Sequence, residues 1–453
     1  MSPVRRLGAN SVNTVGSGRS GAIRAQLVRF RDDPFQAGSS ALVHEPDGLL
    51  VFRDGRITAC GPAAALLREL TPDLQLHTYS DCIAMPGFID AHTHYVQAQI
   101  VAASGGPLLD WLERRTYVAE QDFADPLHAK IVAARFCDEL IRNGTTTAAV
   151  LCAVYPQSVD ALFEAATQRD MRVIAGKVLM DRNAPSALLD TAQSSYDESE
   201  TLIKRWHGKG RNLYAITPRY AGSSTPAQLE AASVLWGQYS QVYMHSHLAE
   251  NKQEVAWIRE LFPDCNDYVD VYDRHGLLGP RALFAHGIYL SEAERDRLAD
   301  TQTTLVHCPS ANLFLGSGLF PLHDNKRRKT PLAVALGTDI GAGTSFSMLK
   351  TMADAYKVSR LLGHALSAAE AFYLATLGTA RALQLDDRIG SFAPGYEADI
   401  VILDPRATPA LRLRADRCAD VEDLLFSLLI QGDDRAIRAS YLHGRRAHVL
   451  NEQ

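Results

Sequence analysis

No two of the seven cysteines in this chain (Cys60, Cys82, Cys137, Cys152, Cys265, Cys308 and Cys418) stand as a C-x-x-C pair. Scattered and odd in number, they describe neither a disulfide framework nor a zinc ribbon, and they fit a reducing compartment. An apolar run long enough to span a bilayer is also missing. The densest one, Leu424 to Ile430, is short and is interrupted by Ser427. Nor is there an excess of positive charge, since the net charge is -6 at pH 7. Without an overall basic field to hold a polyanion, the expected partner is a small molecule, with neither nucleic acid nor a membrane involved. The first twenty residues hold no acidic side chain and no apolar core of a secretory signal. With Arg5, Arg6 and Arg19 among Ser, Asn and Gly, residues 1–21 read as a disordered tail on a cytoplasmic protein.

What is present has the composition of an ordinary globular enzyme. Of 453 residues, 46% are hydrophobic and 22% charged, enough for one large domain with an accessory one. Short β-branched segments recur, each followed by a stretch that reads as helix. The strand candidates end at Ile89 to His94, Thr145 to Leu151, Arg172 to Met180, Leu213 to Arg219, Val242 to His247, Ala282 to His286, Thr304 to His307 and Pro331 to Asp339. Helix starts lie between them: Ser291 with Glu294 and Ser367 with Glu370 form capping boxes, and Thr225-Pro226 puts proline at a first helical position. Eight such units predict an α/β fold, a (β/α)8 TIM-like barrel over residues 85–385. The flanks read as short strands with hairpin turns at Asp54-Gly55 and His443-Gly444. Residues 22–84 and 386–453 are therefore expected to join in one small β-sandwich domain.

Polar residues fall at the carboxyl ends of these strands, where barrel enzymes keep their chemistry. In His92-Thr93-His94 two imidazoles stand two positions apart on a strand and can share one metal. Alone the triplet is weak. His247, His286 and Asp339, each ending another strand, add ligands of the kind a zinc or iron centre uses. Singly, His286 reads equally well as a satisfied core histidine, and Asp339 as a helix cap before Gly341. Their shared placement favours a site.

At the level of motifs the chain resembles the amidohydrolase superfamily and, within it, guanine deaminases of bacterial type. The general marks are Pro86-Gly87-Phe88-Ile89-Asp90-Ala91-His92-Thr93-His94, the later histidines, Gly337-Thr338-Asp339 and Pro394-Gly395-Tyr396-Glu397-Ala398-Asp399. Narrower marks are Gln97, Thr217-Pro218-Arg219, Ser246-His247-Leu248-Ala249-Glu250-Asn251, His307-Cys308-Pro309-Ser310-Ala311-Asn312-Leu313 and the stretch from Thr338 to Ser345. The resemblance implies a single divalent metal, Zn2+ before Fe2+, on His92, His94, His247 and Asp339, with His286 beside the attacking water. It also implies a homodimer. A two-metal relative would need a bridging group, often a modified lysine, where this chain has Pro218-Arg219. Lys177, inside the third strand, reads better as a structural amine.

The chemistry implied is hydrolytic deamination of guanine to xanthine and ammonia in purine catabolism. Asp339 would take a proton from water, His286 would orient that water, and Glu250 would pass a proton to the ring and then to the departing amine. On its own Glu250 would read as a helix-starting acid. Arg219, a donor only, suits the guanine carbonyl oxygen, and Gln97 can donate or accept. Tyr220, where relatives resemble a phenylalanine, and His247 would complete the substrate pocket. Ala311 also departs from the expected serine. The alternatives are another aminoheterocycle (8-oxoguanine, a pterin or a triazine) or a catalytically silent scaffold. The intact ligand set argues against the scaffold.

Overall fold

A computed structural model describes residues 18–104 and 106–450. The expected tail falls, over residues 1–17, outside the described residues. The part of it that is described is ordered structure: Arg19 pairs with Asp170 at 2.6 Å, and a strand begins at Gly21.

The eight predicted strands form a parallel barrel. In chain order they are Phe88–His94, Thr145–Leu151, Arg172–Gly176, Leu213–Pro218, Tyr243–Leu248, Ala282–His286, Thr304–His307 and Ala333–Leu336, each laddered to the next. The third strand is extended by Val178–Leu179, which pairs with Thr217 and Pro218. Closure between the last strand and the first comes through the loop after the last, where Asp339 N–H donates to the His92 carbonyl at 2.8 Å. Alternate residues fill the interior, with Ile89, Ala149, Ile174, Ala215, Leu283 and Ala335 sharing one apolar cluster.

The residues between strands turn their opposite faces to surrounding helices. Helix Pro126–Arg142 is typical: Asp125 caps it by accepting from Leu127 N, and Ala129, Val132, Ala133, Phe136, Leu140 and Ile141 form its buried stripe. Burying a side chain such as Phe136 or Leu140 is worth roughly 2 kcal/mol. The predicted capping boxes at Ser291 and Ser367 are formed, and Thr225 caps helix Pro226–Gln238.

Both chain ends meet in one seven-stranded sheet. Its order is Arg445–Val449, Ile437–Leu442, Ile400–Leu403, Leu76–Pro86, Gly21–Phe30, Leu42–Arg53, Arg56–Pro62, with one parallel pair at its centre. Both expected hairpin turns occur, with positive φ at Asp54 and Gly55 and at His443 and Gly444. Among the described residues the strands make a single continuous ladder, so the expected sandwich is realised as one sheet with an apolar cluster of its own.

The C-terminal flank is not wholly β. Pro409–Ala415 and Val421–Gln431 are helices, and the second packs on helices Met348–Leu361 and Ala368–Leu374 of the barrel layer. Its buried residues Leu425, Leu428 and Leu429 have helical spacing. A short, nearly continuous apolar run does not declare strand or helix by period alone. Among the described residues no helix is long and apolar enough to cross a membrane.

Candidate active site

The site lies at the carboxyl ends of the barrel strands. A register irregularity between Asp90 and Thr93 breaks the alternation of the first strand and re-aims its last side chains. His92 and His94 then bring their Nε2 atoms within 3.2 Å of each other, and His247 Nε2 stands 3.3 Å from His94 Nε2. Asp339 Oδ1 lies 3.3 Å from His92 Nε2 and 3.2 Å from His94 Nε2. All four expected ligands therefore converge on one point.

The donor set fits a divalent cation. His247 Nδ1 donates to the Arg219 carbonyl at 2.6 Å, so a neutral His247 turns a lone pair at Nε2 toward the other rings. Burial pushes His94 down to about 4 and lowers His92 and His247 as well, which favours the neutral form that coordinates metal. Burial alone would raise Asp339, yet the imidazoles of His92 and His94 hold it well below the usual carboxylate range. Imidazole lone pairs facing one another at such distances repel unless a proton or cation sits between them.

His286 and Glu250 complete the polar wall. His286 Nε2 stands 3.3 Å from Glu250 Oε2 and 3.8 Å from Asp339 Oδ2. Its Nδ1 donates to Asn312 Oδ1 at 2.8 Å. Burial lifts the Glu250 carboxyl to about 7 against the opposing pull of His286, and Ser317 Oγ donates to its Oε1 at 2.8 Å. Burial alone would lower His286, but the carboxylates of Glu250 and Asp339 hold it above the ordinary imidazole value. Ala249, His286 and Asp339 all have positive φ (48°, 72° and 52°). Strained backbone of this kind costs about 1 kcal/mol or more per residue and clusters where side chains must be aimed. The helix beyond Glu250 is capped by Asn251 and Glu254, which frees Glu250 from the capping role its position suggested.

Opposite the metal corner lie Arg219, Gln97 and Tyr220, all buried and all lining the same cavity, which encloses about 470 Å³ with its mouth included. Arg219 Nη1 donates to both oxygens of Glu120, at 2.7 and 3.0 Å. The two form a buried salt bridge, whose arginine lines the cavity. Gln97, on the turn Tyr95–Ile100, donates from Nε2 to Glu120 Oε1 at 3.2 Å. It is buried. Tyr220 tilts against Trp257, whereas Ala311 belongs to the barrel-interior cluster and leaves the cavity alone. Trp111 and Leu315 supply apolar wall.

Residues 83–433 match the amidohydrolase family model. The chain belongs to the amidohydrolase family. Among its amidohydrolase relatives, guanine deaminase of Escherichia coli strain K12 is 47% identical over 433 residues, covering 95% of this chain and 98% of that protein. A solved structure of E. coli guanine deaminase superposes with a TM-score of 0.91 at 46% identity, over 95% of this chain and 99% of that one. Guanine deaminase from C. acetobutylicum, solved with guanine bound in its active site, gives 0.84 at 28% identity over 94% and 99%. An adenosine deaminase from Xanthomonas campestris with bound Zn gives 0.82 at 25% identity over 94% and 92%.

Lys177 is buried and paired with Asp190 at 2.5 Å and Glu198 at 2.9 Å, away from the metal corner, as a structural amine would be. Sequence reasoning missed Glu120, Ser317 and His245. The last is buried, with Nε2 2.8 Å from His92 Nδ1. Its place two residues before His247 on the same strand was the available signal.

Proposed function

We propose that the chain deaminates guanine hydrolytically, taking up water and releasing xanthine and ammonia. The observation that carries this reading is one cavity that holds the imidazole–carboxylate cluster, Glu250 and the Arg219–Gln97 pair together. The kinship with guanine deaminases over nearly the whole chain supports it. His92, His94, His247 and Asp339 would hold one divalent metal, Zn2+ in the first place and Fe2+ as the alternative. When bound, such a metal supplies Lewis acidity that makes water a competent nucleophile near neutral pH.

The remaining work falls to side chains. Asp339 accepts a proton from the attacking water, and His286 holds that water in line. Glu250, lifted to about 7, delivers a proton to the ring nitrogen beside the amine-bearing carbon, then takes up the proton of the added hydroxyl as the carbonyl forms and passes it to the leaving amine. Arg219 donates to the carbonyl oxygen of the purine, Gln97 meets the neighbouring edge, and Tyr220 and His247 close the pocket around it. The same reading extends to a cytoplasmic homodimer in purine breakdown that needs neither nucleic acid nor membrane, a view supported by the family likeness and the net charge of -6.

The test is metal analysis of the purified chain together with turnover of an aminoheterocycle panel. Guanine absorbance should fall as ammonia is released, at about one metal per chain. Turnover of 8-oxoguanine, a pterin or a triazine with guanine left untouched would overturn the substrate assignment. A pure protein with no hydrolysis of any of them would favour the scaffold.

A further inference from the structure

Arg219 and Gln97 are not independent: a third residue, Glu120, joins them. Its carboxylate is fully buried and, when ionised, can only accept. Arg219 gives one nitrogen, Nη1, to both of its oxygens, and Gln97 gives its amide N–H to Oε1. The orientation of the Gln97 amide follows from this, because its NH2 must face Glu120. Its carbonyl oxygen then turns the other way and lies against Gly341. A Cβ on Gly341, whose φ is 121°, would collide with that oxygen. Arg219 is braced a second time by the ring of Tyr117, whose centroid lies 5.5 Å from its guanidinium carbon. Tyr117 and Glu120, three apart on helix Tyr117–Gln121, present one face to Arg219.

We propose that Glu120 is the positioning residue that fixes the donor–acceptor polarity of substrate recognition, forcing Arg219 to offer donors and Gln97 to offer an acceptor. This rests on the guanine reading. A 6-oxopurine places an acceptor oxygen next to the N1–H donor and so matches the pair. A 6-aminopurine places an amine donor next to an N1 acceptor, so both partners are opposed. Buried groups left facing their own kind discriminate strongly. Glu120 does this without touching the substrate, by removing the freedom of the Gln97 amide to turn over.

The experiment compares guanine with 2,6-diaminopurine, which keeps the reacting 2-amine and reverses the polarity at positions 6 and 1. Metal-loaded wild type and Glu120→Gln are assayed on both substrates, with melting temperature and metal content measured alongside. The neutral amide of the variant can donate as well as accept, which frees Gln97 to rotate. For guanine the expected result is a KM raised roughly tenfold or more with kcat within about threefold, and a guanine-to-diaminopurine ratio of kcat/KM reduced roughly tenfold. Metal content should stay at the wild-type level. An unchanged ratio, or kcat and KM lost only in proportion to stability, would overturn the proposal. Should that variant not fold, Glu120→Asp, which keeps the charge and shortens the reach, decides by the same two readouts. Wild-type enzyme inert toward guanine would defeat the parent reading instead, an outcome read before any variant is compared.

Discussion

Asn312 Oδ1 accepts a 2.8 Å hydrogen bond from His286 Nδ1. An amide oxygen cannot donate, so the Nδ1 proton is fixed there and Nε2 is presented to Glu250 and Asp339. Asn312→Leu releases that constraint without touching the metal corner. A kcat lower by about 10- to 100-fold is expected, at unchanged metal content. Steady-state kinetics with metal analysis check it, and a variant that loses metal in step with activity would place Asn312 in metal retention instead.

Glu250→Gln keeps the size of the side chain and its contact with Ser317 but has no transferable carboxyl proton. Turnover should drop by about 10²- to 10⁴-fold while metal binding persists. Single-turnover assays on metal-loaded protein measure this. Full activity would remove Glu250 from proton transfer.

Lys177→Met separates a structural amine from a metal bridge. The metal content should equal that of wild type, whereas unfolding in denaturant should show a loss of about 3 kcal/mol, because Asp190 keeps a largely buried charge without its partner. Halved metal content would mean the lysine belongs to the site after all.

Stability should also carry an acid limb set by Glu397. Burial alone would raise this carboxyl, but Arg211 and Arg172 hold it at about 2. Its folded value lies below its unfolded value of about 4.3, so the stabilisation is full above that pH and disappears as pH falls toward 2. The amount at stake is on the order of 3 kcal/mol. Melting temperatures from pH 6 down to pH 2 should fall more steeply for wild type than for Glu397→Gln, which starts lower. Parallel curves would show that the pairing contributes no pH dependence.

Much of the site was legible because buried polar residues interrupt apolar strands. His92, His94, His247, His286 and Asp339 all end such runs, and the barrel geometry turns strand ends into one place. Glu120 was hidden for the opposite reason. It follows Arg114 and Arg115 on a short helical stretch that looks like a solvated surface, and its partner Arg219 lies 99 positions away. Only the fold makes that acid buried. The helix Val421–Gln431 was hidden by composition, since its apolar run from Leu424 to Ile430, broken only at Ser427, declares no period by itself. The mark Pro394 to Asp399, informative only as resemblance, turns out to carry the acids that bind Arg172 and Arg211 beneath the barrel.

The link between the first and last barrel strands has a consequence for how the protein matures. Thr338 donates from its backbone and hydroxyl to Asp90, across 248 positions of chain, and the next residue, Asp339, bonds back to His92. The first two histidines leave the ribosome long before their carboxylate partner exists. Capture of the ion at full affinity therefore waits for the eighth strand to dock, so metal retention in nascent chains would report closure of the barrel.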